Sequence, residues 1–239
     1  MVESYRLIVA LDVPTAPEAE SAVGRLAGLG VAFKVGSQLF TAAGPGIVAG
    51  ITGRGGRVFL DLKYHDIPQT VEAACREAAR LGAFMLNVHA LGGAEMMGAA
   101  RDGARAGAAD AGLPPPLVIA VTVLTSHTEA SLREALGAEV RLVDHAARLA
   151  AQAKAAGLDG VVASPHEVAA IRAACGPAFT VVTPGIRLPG SPPDDQRRTM
   201  TPCEALRAGA DFLVVGRPIL RGPDPAAAAE AILQDAASA

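Results

Sequence analysis

The chain alternates short apolar runs with Ala-rich stretches of helical spacing. Residues 7–13 (LIVALDV) read as a buried strand, and Pro14 and Thr15 open a helix to about residue 29. A second strand spans 32–37 (AFKVGS), followed by a helical or irregular stretch to 53. The third strand, 58–63 (VFLDLK), leads into an amphipathic helix over 68–81. The fourth strand covers 84–89, an Ala/Gly-rich helix about 93–109, and the fifth strand 117–124. A helix at 140–156 precedes strands at 160–164, 179–186 and 211–219, with further helices at 165–174 and after Pro225. Eight strands alternating with helices in 239 residues predict an α/β fold, a (β/α)8 TIM barrel. A doubly wound open sheet is the runner-up, because alternation alone does not show closure. Polar residues gather at the C-terminal ends of most strands, and no Gly-x-Gly-x-x-Gly turn follows the first, which favours the barrel. Nothing reads as an interdomain linker, so residues 1–239 are expected to form one domain.

Strand parity then selects candidate chemistry. Asp12 shares a face with Ile8 and Ala10, and Thr125 with Ile119, Val121 and Val123. Asp61 and Lys63 are two apart, which puts an acid and a base on one face, and Asp66 follows on the loop before Pro68. With Lys34 near the end of the second strand, Asp12, Lys34, Asp61, Lys63 and Thr125 converge at the barrel mouth. A generic D-x-K is more often a salt bridge that ties down a loop. At a strand end facing a mouth, such a pair holds both groups ionised and poises them for proton transfer.

The late loops carry a second constellation. Thr183-Pro184-Gly185-Ile186-Arg187 and Gly216-Arg217-Pro218 end the seventh and eighth strands, where barrels commonly bind phosphate. The glycines permit close backbone approach, and Arg187 and Arg217 each offer a forked donor pair. Between them, the polar, Pro- and Gly-rich stretch at about 188–201 reads as a lid whose Gln196, with Arg197 or Arg198, reaches the phosphate on closure.

Charge and composition narrow the field. A net charge of −3 and a pI near 6.0 argue against a general nucleic-acid binder and leave anion binding to local basic groups. Of the 21 basic residues only three are lysines, Lys34, Lys63 and Lys154; the other 18 are arginines. Arginine thus serves wherever a generic cation will do, yet two lysines end strand-like runs, and lysine can donate a proton where arginine effectively cannot. Lys154, in an Ala-rich helix, reads as a solvated surface cation. Cys75, Cys175 and Cys203 are odd in number and lack C-x-x-C spacing, as expected of free thiols in a reducing cytosol. Strand-like sequence by Leu7 leaves no room for a signal peptide, and no apolar run is long enough to cross a bilayer. These features predict a soluble cytoplasmic protein.

The run Asp61-Leu62-Lys63-Tyr64-His65-Asp66-Ile67-Pro68-Gln69-Thr70 closely resembles the D-x-K-x-x-D-I-P-x-T signature of the orotidine 5′-phosphate decarboxylase family. The resemblance extends to LDV with Asp12, FKVG with Lys34, VTVLTS with Thr125 and Ser126, TPGIR with Arg187, DDQ-R with Gln196, and GADFLVVGRPI with Gly216 and Arg217. It implies a metal-free and cofactor-free enzyme that converts orotidine 5′-monophosphate to UMP and CO₂ in pyrimidine biosynthesis. It further implies that Lys34, Asp61, Lys63 and Asp66 form an alternating charged array. Asp66, Ile67 and Thr70 would complete the neighbour's site in a homodimer. Asp12 and Lys34 would contact the ribose, Thr70 would help hold the ligand, and Ser126 would face the pyrimidine. Arg187, Gln196 and Arg217 would grip the phosphate. Loss of CO₂ from a ring carbon leaves an in-plane lone pair that the π system cannot delocalise, so the protein must stabilise it electrostatically, and Lys63 is the natural cation and proton donor.

Two rival readings stand beside this one. A sister branch resembling 3-keto-gulonate 6-phosphate decarboxylase shares D-x-K-x-x-D but uses Mg²⁺; it would want a further acid beside the second strand, where this chain has Lys34. A non-catalytic nucleotide-binding barrel would be marked by loss of one member of the charged array, and all four are present. His65, His89 and His127 near strand ends read as hydrogen-bonded wall residues, and His145 and His166 as helix residues. Asn87 and His89 end the fourth strand and are candidates to line the mouth, with no assigned role.

Overall fold

Alternation within each apolar run decides which side chains fill a barrel and which meet the surrounding helices. In the computed structural model, which describes residues 6–188 and 199–239, eight parallel strands close in chain order. They are β1 (Leu7–Ala10), β2 (Ala32–Gly36), β3 (Val58–Tyr64), β4 (Met85–His89), β5 (Leu117–Val121), β6 (Gly160–Val162), β7 (Thr180–Thr183) and β8 (Phe212–Val215), and β8 pairs back onto β1. Ile8, Ala10, Ala32, Phe59, Met85, Ile119, Val182, Phe212 and Val214 form an apolar cluster of their own inside it. Their neighbours one position away, such as Val9, Phe33, Leu60 and Leu86, join the outer core beneath the helices. The barrel is therefore packed below its mouth, and chemistry is confined to the C-terminal rim.

The expected helices are present as α1 (Ala16–Leu26), α2 (Ser37–Ala43), α3 (Gly46–Thr52), α4 (Pro68–Arg80) and α5 (Gly93–Asp110) in the first half. The second half contains α6 (Glu129–Leu136), α7 (Leu142–Ala155), α8 (Val168–Cys175), α9 (Pro202–Arg207), α10 (Arg217–Leu220) and α11 (Pro225–Ala236). Three of these, α6, α9 and α10, depart from the sequence reading. Helices α6 and α9 start at capping boxes, Thr128 with Ser131 and Thr201 with Glu204, which satisfy the free N–H groups of the first turn. The run 211–219 does not continue as one strand. Phe212–Val215 makes the ladder, Gly216 turns the chain, and Arg217-Pro218 opens α10, where proline's missing N–H costs nothing. Likewise β5 stops at Val121 and β1 at Ala10, so Asp12 and Thr125 lie on loops just past their strands.

Helix α4 buries Val71, Cys75, Ala78 and Ala79, a spacing that gives one apolar stripe. Against it α5 presents Gly103 and Gly107. A Cβ there would lie 2.2 Å from the Glu72 carbonyl oxygen and 2.0 Å from that of Arg76, so the two backbones meet directly. This contact fixes the helix that begins just after Asp66 and Ile67. Lys154, exposed as expected, still donates to the Cys175 carbonyl at 2.8 Å and ties α7 to the end of α8.

Candidate active site

Three adjacent strands deliver alternating charges to one point of the rim. Lys34 Nζ, near the end of β2, lies 3.0 Å from Asp12 Oδ1 and 3.2 Å from Asp61 Oδ2. Lys63 Nζ donates to Asp61 Oδ1 at 2.6 Å, giving the order Asp12, Lys34, Asp61, Lys63. Gly36 aligns with Asp61 in the β2–β3 ladder, and a Cβ on it would stand 3.0 Å from Lys34 Nζ, so a glycine here leaves room for the ammonium.

Burial sets the strength of these contacts. Burial alone would raise the pKa of Asp61, but the charges of Lys34 and Lys63, with hydrogen bonds from Lys63 and Asn87, hold it below the ordinary carboxylate value. Burial would likewise lower Lys34, yet Asp61 and Asp12 outweigh it and raise its pKa above the usual lysine value. Both groups are thus charged at neutral pH. Asp61 is almost fully enclosed, whereas the Lys63 side chain is 35% exposed and opens toward the cleft.

Lys63 gains that position through an irregular backbone. The β3–β4 ladder pairs Phe59 with Met85 and Leu60 with Leu86, then shifts register before Tyr64 meets Val88. Within this bulge Lys63 has φ +52°, the sole positive φ on a non-glycine among the described residues. A left-handed conformation on a residue that carries a Cβ costs about 1–2 kcal/mol, and bulges beside active sites commonly re-aim a side chain in this way. Asp61 and Lys63 do share a face, as parity predicts, but by way of the bulge.

The array borders a cleft of about 160 Å³ lined by Phe59, Val121, Val162, Ala163, Pro184 and Val214 beside Lys34, Asp61, Lys63 and Thr125. Apolar walls with one charged edge suit a flat ring that carries charge at a single position. A larger depression of about 570 Å³ on the outer face of α4 is open to solvent, and its Arg76 and Arg80 are paired with Asp110 and Glu77. Its arginines are spent on those carboxylates, so the smaller cleft at the mouth is the better site. Among the described residues no group of three or more His, Cys, Asp or Glu is placed to hold a metal ion.

The family model for "Orotidine 5'-phosphate decarboxylase / HUMPS family" matches residues 5–232. The chain belongs to this family. It is 56% identical over 227 residues to the orotidine 5′-phosphate decarboxylase of Moorella thermoacetica, covering 95% of this chain and 90% of that one. It is 53% identical over 234 residues to that of Syntrophotalea carbinolica, covering 98% and 96%. The crystal structure of orotidine 5′-phosphate decarboxylase from Lactobacillus acidophilus superposes with a TM-score of 0.87 at 39% identity, covering 97% of this chain and 99% of that one.

Within this decarboxylase-family barrel, the residues singled out from sequence fall into three groups. Asp12, Lys34, Asp61, Lys63 and Thr125 converge at the mouth. Gly216 sits beside them, since a Cβ on it would lie 3.4 Å from Asp12 Oδ2. The second group does not join the array within one chain: Asp66 Oδ1 accepts the Ile67 N–H at 2.6 Å, and Asp66, Ile67 and Thr70 are exposed. Ser126 is also exposed and does not line the cleft. The third group flanks the expected lid. Arg187 N–H donates to the Met200 carbonyl at 3.0 Å, and Met200 N–H to Gly185 at 3.3 Å, which joins the two sides of the stretch; Gln196 and residues 189–198 lie outside the described residues.

Sequence reasoning set Asn87 at the end of the fourth strand but gave it no role. It is fully buried, donates from Nδ2 to Asp61 Oδ1 at 2.6 Å and accepts the Lys63 N–H at 2.8 Å. The signal was an amide between Leu86 and Val88 inside a buried strand, where Asn is disfavoured. His65 and His89 face each other with ring centroids 5.5 Å apart, and burial, then the charges of His65 and Lys63, lower the pKa of His89.

Proposed function

We propose that this chain is a carboxy-lyase that converts orotidine 5′-monophosphate to UMP and CO₂ in pyrimidine biosynthesis, with the whole chain acting as one barrel domain. The observation that carries the reading is the Lys34–Asp61–Lys63 array at the edge of an apolar cleft, in a chain of this family. The pyrimidine lies against Val121, Val162 and Val214, with its carboxylate toward Asp61 and its reacting carbon toward Lys63. Thr125 and Ser126 flank the base, and Asp12 and Lys34 take the ribose hydroxyls. Arg187, Gln196 and Arg217 hold the phosphate, with Gly216 allowing close approach, and the 188–201 stretch acts as a lid.

Departure of CO₂ leaves an electron pair on the ring carbon, in the ring plane. The Lys63 ammonium stabilises that pair and then donates a proton to it, leaving neutral lysine to be reprotonated from solvent. Repulsion between Asp61 and the substrate carboxylate contributes about 4 kcal/mol for unit charges about 4 Å apart at an effective dielectric of ~20. Barriers of very slow reactions fall by ~20 kcal/mol or more in enzymes, so repulsion is a minor part. The larger part is stabilisation of the carbanion-like transition state by an ammonium already aimed and charged. Asp61 supplies the aim.

A homodimer completes this site. Asp66, Ile67 and Thr70 are exposed and do not line their own cleft, and Ile67, 66% exposed, is an apolar residue at the rim with Leu91 on the neighbouring turn. Burying these against a second copy places each chain's Asp66 near the other's Lys63. Cys75, Cys175 and Cys203 are free thiols, which fits a cytoplasmic setting.

The deciding experiment is a UV assay of the purified protein with orotidine 5′-monophosphate in EDTA. Rapid formation of UMP is expected. Turnover only of a keto-sugar phosphate, and only with Mg²⁺, would move the chain to the sister activity. Tight UMP binding without turnover of either substrate would make it a binding barrel.

A further inference from the structure

Asn87 uses both ends of its carboxamide on the catalytic strand. Oδ1 accepts the backbone N–H of Lys63 at 2.8 Å, and Nδ2 donates to Asp61 Oδ1 at 2.6 Å, the oxygen that also receives Lys63 Nζ. Donor and acceptor matching fixes this orientation, because a flipped amide would set donor against donor at Lys63 and acceptor against acceptor at Asp61. The ladder explains why a side chain is needed. Between Leu60 and Tyr64 strand β3 advances four residues while β4 advances two, from Leu86 to Val88. Asn87 is the β4 residue facing this surplus, and its side-chain oxygen takes the place of the backbone acceptor that a regular ladder would offer.

We propose that Asn87 is a positioning residue for decarboxylation: it holds the bulge that turns the Lys63 ammonium back onto Asp61 and locks the Asp61 carboxylate between its partners, a role that rests on the assignments of Lys63 and Asp61 made above. With Oδ1 shared by the amide and Lys63, and Oδ2 taken by Lys34, the carboxylate has no free rotation. An apolar side chain at 87 leaves the Lys63 N–H and one lone pair of Asp61 without partners in a dry interior. The left-handed turn at Lys63 then loses its tie to β4, and the ammonium is free to leave the line of attack.

The test compares Asn87→Leu and Asn87→Asp with Lys63→Ala, each followed by circular dichroism, UMP affinity, and kcat and KM from neutral to acid pH. Asn87→Leu is expected to lower kcat by about 10- to 100-fold, the scale of an ~1 Å misplacement, with KM and UMP affinity nearly unchanged. Loss of a hydrogen bond to ionised Asp61 also moves the acid limb of kcat to higher pH, and Asn87→Asp, which adds a like charge, moves it further. The other groups facing Asp61 (Lys34 on β2, Lys63 on β3, His89 on β4, and Asp12 through Lys34) are unaltered in both variants. Wild-type kcat and an unmoved limb in Asn87→Leu, with Lys63→Ala inactive, would overturn the role of Asn87 alone. Near-normal turnover by Lys63→Ala would instead overturn the site reading beneath it. Should Asn87→Leu fail to fold, Asn87→Asp decides, since it keeps an acceptor for the Lys63 N–H: a lowered kcat with a shifted limb supports the role, and an unchanged kcat per folded molecule refutes it.

Discussion

Two charged networks sit at opposite ends of the barrel, and they are built from different cations. At the N-terminal end, Arg172 in the last turn of α8 donates to the carbonyls of Gly209, Gly176, Pro177 and Phe179 and to the Asp211 carboxylate. Asp211 in turn accepts the Val181 N–H at 2.7 Å, so one guanidinium ties the loops that feed β7 and β8. At the C-terminal end, Lys34 and Lys63 share Asp61, and the Lys63 side chain keeps an open face toward the cleft. The planar fork of arginine suits a fixed set of acceptors, while a lysine ammonium is a compact charge with a proton to give. The lower network spends its donors on structure; the upper keeps one in reserve for chemistry.

The strongest way to break this contrast is to interchange the cations. Lys63→Ala is expected to lower kcat by about 10⁴-fold or more while UMP affinity stays within a few fold. Lys63→Arg keeps the charge but has no proton to give near neutral pH, so it is expected to be nearly as inactive. Single-turnover measurements with each variant check this. Substantial turnover by Lys63→Arg would mean that charge alone suffices and would remove proton donation from the mechanism.

A smaller effect, of the opposite kind, belongs to the lower network. Arg172→Leu leaves several loop carbonyls and the half-buried Asp211 without their shared donor, which is expected to cost about 2–4 kcal/mol of stability. Arg172→Lys is expected to recover only part of that, since one ammonium does not span the acceptors on both loops. Urea unfolding with kcat per folded molecule separates the effects. A fall in kcat at unchanged stability would make the lower network part of the active site and dissolve the contrast.

The upper network was largely legible from residue order. Lys34, Asp61 and Lys63 stand near the ends of apolar strands with the right parity, and two of the chain's three lysines are there. The barrel was legible for the same reason, since the apolar runs have strand length and the stretches between them helical spacing. What escaped depends on pairs of segments. The register shift between β3 and β4 belongs to neither strand alone, so the left-handed Lys63 and the amide that supports it do not show in either pattern. Arg172 reads as one more arginine on an Ala-rich helix until α8 is docked under the barrel. Strand ends were read too long at Leu124, where apolar residues continue past the last ladder bond, and at Ile219, where the turn at Gly216 and the helix opened by Arg217-Pro218 were taken into the strand. The short helices α6 and α9 did leave a local mark, Thr-x-x-Ser and Thr-x-x-Glu, which outweighs their brief apolar content.

The mildest test uses pH instead of substitution. Asp61 has a folded pKa below its ordinary value of about 3.9, so its contribution to stability and to catalysis is fully present above that value and is lost only as pH falls through the lower folded one. Lys34 has a raised pKa, so its contribution is complete below the ordinary lysine value of about 10.4 and fades as pH climbs through the higher folded one. His89 has a lowered pKa and is neutral at pH 7, with Lys63 and His65 both opposing its protonation. The kcat profile is therefore expected to stay flat from pH 8 down to the ordinary carboxylate range, with no inflection near pH 6.5. An inflection there, abolished by His89→Gln, would mean that the histidine pair on the wall controls the ammonium, and that the proton held in reserve at the mouth is not governed by Asp61 alone.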